Sequence, residues 1–138
     1  WQAVSPDMMD RGYGRIVNIA SNAAFHGCAS GSMYAVAKAA VNHFPRCLAA
    51  QVRSSGVTVN CIAPGLVYTP MVEGRLDADQ RERRKNSSPL GTEGTAWDVG
   101  WAAVFFASDE SRWVSGTVLP VDAGLTIAAR HAYPEWGV

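Results

Sequence analysis

Gly14-Arg15-Ile16-Val17-Asn18-Ile19-Ala20-Ser21, followed thirteen residues after Ser21 by Tyr34-Ala35-Val36-Ala37-Lys38, decides the reading of this 138-residue chain. Arg15 to Ala20 is a short apolar run behind a glycine. It reads as a strand buried on both faces, the kind that occurs in parallel sheets. Ser21 then stands at the strand's carboxyl end, where open α/β sheets bind their ligands. Residues 21–32 are rich in Ser, Asn, Ala and Gly and read as a loop. A long helix is predicted over Met33–Ser54, with Tyr34 near its start and Lys38 one turn further on the same face. Ala37, Val41, Phe44, Leu48 and Val52 recur at steps of three or four and predict its apolar stripe. Pro45 falls inside it, where the missing N–H removes the bond to the Val41 carbonyl and predicts a kink. Ser54-Ser55-Gly56 ends it.

On the amino-terminal side, residues 1–11 read as the tail of a helix already under way at Pro6–Met9, closed by Gly12-Tyr13-Gly14. On the other side, Val57–Ile62 reads as a second buried strand, ended by Ala63-Pro64-Gly65. Residues 66–94 read as polar and irregular. The Arg81–Lys85 run there, interleaved with acids, reads as a solvated face. A helix is predicted over Ala96–Ala107, with Ala96, Val99, Gly100, Ala103 and Ala107 on one face and Thr95–Asp98 as a capping box. Gly116–Val121 reads as a third strand, placed at a sheet edge or at its own end by Pro120, which cannot donate to a ladder. The tail from Ala128 to Val138 is expected to pack over a neighbouring surface. Strands alternating with helices argue for an α/β fold with a parallel sheet of about three strands.

Composition bounds the function. The chain is 48% hydrophobic and 17% charged, with twelve basic and twelve acidic residues. That is a globular composition without the electrostatic footprint of nucleic-acid or anionic-membrane binding. No apolar run reaches the ~20 residues of a bilayer span. Cys28, Cys47 and Cys61 form no metal-type cluster and read as reduced, buried small hydrophobes of a cytoplasmic protein. The sequence begins at Trp1, without a signal-peptide pattern, and reads as a fragment.

Ser21, Tyr34 and Lys38 make chemical sense together. Moving hydride between an alcohol carbon and a nicotinamide requires an acceptor for the hydroxyl proton. A phenol titrates near about 10 and is a poor base at neutrality, and an adjacent ammonium favours the phenolate. A serine hydroxyl can hold the substrate oxygen as charge moves. A Tyr–Lys pair at this spacing also arises on ordinary helix surfaces, so the pair alone decides nothing.

Further segments in order extend the pattern. Gly14–Ser21 and Tyr34–Val41, then Val59-Asn60-Cys61-Ile62-Ala63-Pro64-Gly65 with Thr69-Pro70-Met71, then Ser115-Gly116 through Val121-Asp122-Ala123-Gly124, resemble the short-chain dehydrogenase/reductase superfamily. The likeness runs from residue 1 to about 127. It implies a Rossmann-like, doubly wound parallel sheet of which residues 1–138 form the C-terminal, catalytic half. It also implies an oxidoreductase using NAD or NADP on a secondary alcohol or ketone, assembled as a homotetramer or dimer through the long helix and the final strand. A 3-oxoacyl thioester reductase is the alternative substrate class. An inactive truncated fragment acting only in assembly is the alternative outside catalysis. By the resemblance Ser21, Tyr34 and Lys38 are catalytic, and Tyr34 and Lys38 also hold the ribose. Pro64, Gly65 and Val67 lie against the nicotinamide, with Thr69 at the carboxamide or pyrophosphate. Asn22, Ala23, Phe25, His26, Leu66 and Met71 border the substrate, and residues 70–90 form a mobile loop. The family's Gly-rich phosphate loop and its Asn-Asn-Ala-Gly-like segment have no counterpart in these residues, so the N-terminal, phosphate-binding half is expected to lie outside them. Ala123 stands where the family's closing turn carries glycine and calls for a negative φ. Asn60 is expected to satisfy buried backbone groups, and Trp97, Trp101 and Trp113 to pack in a core or subunit interface.

Overall fold

The computed structural model describes residues 1–27 and 31–127. Cys28 and the Ala128–Val138 tail, for which buried packing was expected, lie outside the described residues. The chain begins with helix α1 (Ser5–Asp10) and strand β1 (Gly14–Ile19). A 3₁₀ turn (Asn22–Phe25) leads to the long helix α2 (Ser32–Gln51), and strand β2 (Val57–Pro64) follows. After the short strand β3 (Val67–Tyr68) come helix α3 (Ala78–Lys85), short strand β4 (Gly94–Thr95), helix α4 (Ala96–Ala107) and strand β5 (Val118–Val121).

The main sheet is parallel, in the order β1-β2-β5. Alternation along the strands decides which helix covers which face. Ile16, Val57 and Val59 point to one side and form a core with Leu48 and Val52 of α2, joined by Met8 of α1. Arg15 points to the other side, where its guanidinium bonds the Ser108 carbonyl and Asp109 just beyond α4. Helices therefore lie on both faces, as a doubly wound sheet requires, and Phe106 anchors α4 on its side. β3 and β4 form a separate parallel pair, Val67 opposite Gly94 and Tyr68 opposite Thr95.

Several expectations need correction. β1 is only half-buried, because one of its edges carries no strand among the described residues. α1 starts at Ser5 with Pro6 in its first turn, where a missing N–H costs nothing, and is not a helix under way. α2 runs unbroken through Pro45, and its buried side is Asn42, Pro45 and Leu48, continued by Val52 just past its end. Ala37 and Phe44 are exposed, so the predicted stripe holds only at its carboxyl end. On α4 Phe106 is buried and Val99, Gly100, Ala102 and Ala103 are half-buried, while Ala96 and Ala107 face out. Cys47 is exposed and only Cys61 of the described cysteines is buried.

Two side-chain readings hold. Asn60 donates to the Val114 carbonyl at 2.8 Å and accepts from the Thr117 N–H at 3.3 Å, fixing the turn before β5. The Asp98 carboxylate accepts from the Thr95 N–H at 2.6 Å and the Thr95 hydroxyl at 2.8 Å, which starts α4 and holds that carboxyl below the usual range. Among the described residues β5 pairs on one side only, with β2, the edge position that was one of the two expected from Pro120.

Ala123 does not have the negative φ that its side chain calls for: its φ is +55°. The left-handed region costs a side-chain-bearing residue about 1–2 kcal/mol. Replacing Ala123 by Gly is expected to stabilise the fold by about 1 kcal/mol, read as a higher urea midpoint at unchanged slope.

Candidate active site

The site is assembled at the carboxyl ends of β1 and β2. Ser21 leaves β1 and caps the 3₁₀ turn, its Oγ accepting from the Ala23 N–H at 3.2 Å. Its side chain is thereby held in a fixed, nearly buried position. Asn22 is buried beneath the same turn. Gly31, at φ +77°, lets the chain reverse into α2, so that Tyr34 falls in the helix's first turn and Lys38 one turn later.

Lys38 ties the helix to the strand. Its ammonium donates to the Ile19 carbonyl, two residues before Ser21, at 3.1 Å. The same nitrogen lies 5.8 Å from the centre of the Tyr34 ring. The partner is a neutral carbonyl, and none of the ion pairs among the described residues uses Lys38. The positive charge is therefore not cancelled by a carboxylate. Behind it, burial pushes the Cys61 thiol up, opposed by a hydrogen bond from the Ala20 backbone and by the Lys38 charge. Tyr34 itself is half-exposed, 54% of its surface reaching solvent.

The second wall is the loop after β2. Pro64 closes the strand, and the Gly65 N–H bonds the Val121 carbonyl at 2.9 Å, which draws the loop against the end of β5. A Cβ on Gly65 would stand 2.5 Å from the Cβ of Asp122, so only glycine allows this approach. The Val67 N–H bonds the Gly65 carbonyl at 3.1 Å, and the Thr69 carbonyl accepts from Val72 and Glu73. Leu66 and Val67 line a cavity of about 480 Å³ with Arg84, Thr95 and Leu125. Ser21, Tyr34 and Lys38 are not among its walls. Phe25, His26 and Met71 are exposed, Ala23 is half-buried and Asn22 is buried.

Sequence reasoning passed over the segment facing that loop. Residues 66–94 carry β3, α3 and β4 where an irregular stretch was expected. The signal was present. Asp77 accepts from the Gln80 N–H at 2.7 Å while the Gln80 side chain accepts from the Asp77 N–H at 3.0 Å, a reciprocal cap three residues apart. Nor is the Arg81–Lys85 run a uniformly solvated face. Arg81 bonds Glu93 with two nitrogens and stacks 3.9 Å from the centre of the Tyr68 ring. Arg84 donates to the Val67 carbonyl at 3.4 Å. The hydrogen bond from Arg81 holds the Glu93 carboxyl below its ordinary range.

The donors of the site fit one end of a nicotinamide cofactor. A hydroxyl at a strand end with a phenol and an ammonium on the helix beside it suits the hydroxyls of a ribose, and loop backbone suits a carboxamide. Neither the sequence nor any described turn offers a Gly-rich phosphate cradle at a helix start.

Comparison with known proteins places this geometry in a class. Residues 1–126 match the family profile described as enoyl-(acyl carrier protein) reductase. The chain belongs to the short-chain dehydrogenase/reductase superfamily, whose members are NAD(P)-dependent oxidoreductases. It is 40% identical over 124 residues to nodulation protein G of Azospirillum brasilense, covering 90% of this chain and 50% of that protein. It is 40% identical over 123 residues to the 3-oxoacyl-[acyl-carrier-protein] reductase FabG of Chlamydia muridarum, covering 89% and 49%. Among solved structures it is similar to a gluconate 5-dehydrogenase from Burkholderia cenocepacia J2315 in complex with NADP and tartrate. That match has a TM-score of 0.85 and 33% identity and covers 93% of this chain and 51% of that one. The chain thus spans about half the length of the curated relatives it matches.

The Gly65 contact gives a direct check. Gly65→Ala is expected to destabilise the fold by about 1–3 kcal/mol, the usual cost of overpacking against rigid neighbours, measured as a lower midpoint of chemical unfolding.

Proposed function

We propose that these residues are the catalytic half of an NAD- or NADP-dependent oxidoreductase that interconverts a secondary alcohol and a ketone. The observation that carries the reading is the Lys38 ammonium, bonded at 3.1 Å to the carbonyl beside the Ser21 strand end and set 5.8 Å from the Tyr34 ring. A bound nicotinamide provides the hydride acceptor or donor. The Tyr34 side chain takes the alcohol proton as phenolate and returns it as phenol, Ser21 holds the substrate oxygen, and Lys38 keeps a positive charge beside the phenol. Tyr34 and Lys38 also hold the ribose, while Pro64, Gly65, Val67 and Thr69 face the nicotinamide end. Asn22, Ala23, Phe25, His26, Leu66 and Met71 remain the residues proposed to border the substrate.

Residues 1–138 are proposed to form the C-terminal part of one Rossmann-type domain, whose phosphate-binding half lies outside them. Two features support this. The outer edge of β1 has no pairing strand, and the Asn18 side-chain nitrogen on that strand is buried without a partner among the described residues. A homotetramer or dimer is proposed from exposed apolar surface. Trp97, Trp101, Val104 and Phe105 on α4, with Trp113 at 92% exposure, stand exposed among the described residues. No helix among the described residues is long and apolar enough to cross a membrane, and the proposed location is cytoplasmic. The 3-oxoacyl thioester reading is kept as the second because several relatives, among them the Haemophilus influenzae protein, are named 3-oxoacyl-[acyl-carrier-protein] reductase.

In a full-length enzyme carrying this sequence, Tyr34→Phe is expected to lower kcat by at least about a hundredfold, the usual share of a positioned acid/base, with cofactor still bound. Steady-state rates on a panel of secondary alcohols and one acyl-carrier thioester check this and choose between the two substrate classes. Retained activity in the variant would remove Tyr34 from the chemistry. For the 138 residues alone, calorimetry at millimolar cofactor is expected to register no binding. That outcome accords with the inactive-fragment alternative for the isolated chain, while turnover there would overturn it.

A further inference from the structure

Arg81 lies on the segment expected to be a mobile loop over the substrate, yet it makes the most fully bonded contact in that segment. Its guanidinium reaches both oxygens of Glu93, one bond being 3.2 Å, and its carbon stands 3.9 Å from the centre of the Tyr68 ring. A forked pair of this kind is stronger and more directional than a single contact. Its two partners belong to different pieces of chain. Glu93 immediately precedes β4, and Tyr68 is half of β3. Those two strands are hydrogen-bonded to each other, Val67 opposite Gly94 and Tyr68 opposite Thr95. A pair of two-residue strands is marginal by itself. The arginine closes it from outside, with α3 as the brace.

One turn along α3, Arg84 adds a bond to the Val67 carbonyl at 3.4 Å. Arg83, between them, is exposed and shows no such contact among the described bonds. The helix therefore aims two of its arginines at one stretch, Val67–Tyr68, and that stretch continues the loop begun by Pro64 and Gly65. At its base the loop is fixed by the Gly65 bond to Val121. At its far end it is fixed by Arg81.

We propose that Arg81 is a positioning residue for the cofactor loop: paired with Glu93 and stacked on Tyr68, it clamps α3 and β4 onto β3 and so sets the Val67 backbone against which the nicotinamide end docks. This rests on the oxidoreductase reading above and deepens it. It assigns α3 a task of its own, holding the cofactor wall in place through Tyr68 and Val67. Arg81 touches neither substrate nor cofactor and acts through Tyr68 and Val67. The order of the loop is accordingly set before any ligand binds, which lowers the ordering cost of binding.

The test uses the full-length enzyme with Arg81→Ala, Glu93→Ala, the charge-exchanged double variant Arg81→Glu/Glu93→Arg, and Arg83→Ala as a neighbouring control. Hydrogen exchange of residues 66–69, measured without cofactor, reads the clamp directly. The dissociation constant of the reduced cofactor, from its fluorescence, reads the consequence. Each single variant is expected to speed exchange and to weaken cofactor binding by about tenfold, with kcat at saturating cofactor within about twofold of the parent. Arg83→Ala is expected to change neither, and the exchanged pair to recover much of both. Should Arg81→Ala not fold, Arg81→Lys, which keeps the charge and loses the fork, is expected to show the same split in milder form. Parent-like exchange and cofactor affinity in the single variants would overturn the clamp. An equal loss at Arg83 would reduce it to general surface charge. A parent enzyme that binds no reduced nicotinamide would overturn the oxidoreductase reading instead, and the cofactor-free exchange data would still judge the clamp.

Discussion

Parallel pairing on both sides of Val57–Pro64 is the constraint on which the rest of the molecule depends. β2 bonds β1 along one edge and β5 along the other, and every residue from Val57 to Ala63 is buried. A strand in that position has no solvent side, so its side chains are apolar or bonded, apart from Thr58, whose buried hydroxyl has no partner among the described residues. Val57 and Val59 meet Leu48 and Val52 on the α2 face. On the opposite face Asn60 spends its amide on two backbone groups of the turn into β5. The strand therefore sets the depth of α2 and the entry of β5 together, and its carboxyl end decides where the loop Pro64–Thr69 begins.

From that end the reacting groups follow by short steps. β1 lies in register beside β2, Ile19 opposite Ile62, so Ser21 emerges near the level of Pro64. Lys38 bonds the Ile19 carbonyl and brings the first turns of α2 over the same end. Both walls are thus built on rigid elements, the arrangement that holds reacting groups to the tolerance chemistry needs. The Lys38 bond also has a chemical side. A carboxylate partner would offset the ammonium's field, whereas a carbonyl anchors it and leaves the full charge beside Tyr34.

What the sequence made legible follows from which forces are local. Strand and helix existence was readable from apolar periodicity, the start of α4 from Thr95 and Asp98, and the buried duty of Asn60 from a polar residue in an apolar strand. The superfamily was readable because several motifs fall in order. Side-chain orientation on α2 was less legible. Its stripe was chosen by spacing alone, and the helix instead turns Asn42 and Pro45 inward where Cys61 and the sheet demand a fit. The half-exposure of β1 could not be read from its composition, because it depends on what pairs with its outer edge. Ala123 was misjudged for a related reason: the sign of its φ is imposed by the turn that Asp122 closes through the Gly124 and Thr126 N–H groups.

The stretch from 66 to 94 was the least legible, and the physics explains it. Its helix has eight residues, no buried side chain, and four basic residues with two acids along Ala78–Lys85, so no apolar period marks it. Its stability comes from a cap at Asp77 and from arginines whose partners, Glu93, Tyr68 and the Val67 carbonyl, lie more than ten residues away in sequence. Charged residues read as solvated when their partners are unknown, and they become structural when a fold brings those partners within reach. Here the fold does so through β3 and β4, which bring the chain before α4 beside the loop leaving β2. The charged run that looked like bare surface is the outer support of a loop whose inner support is the strand end itself.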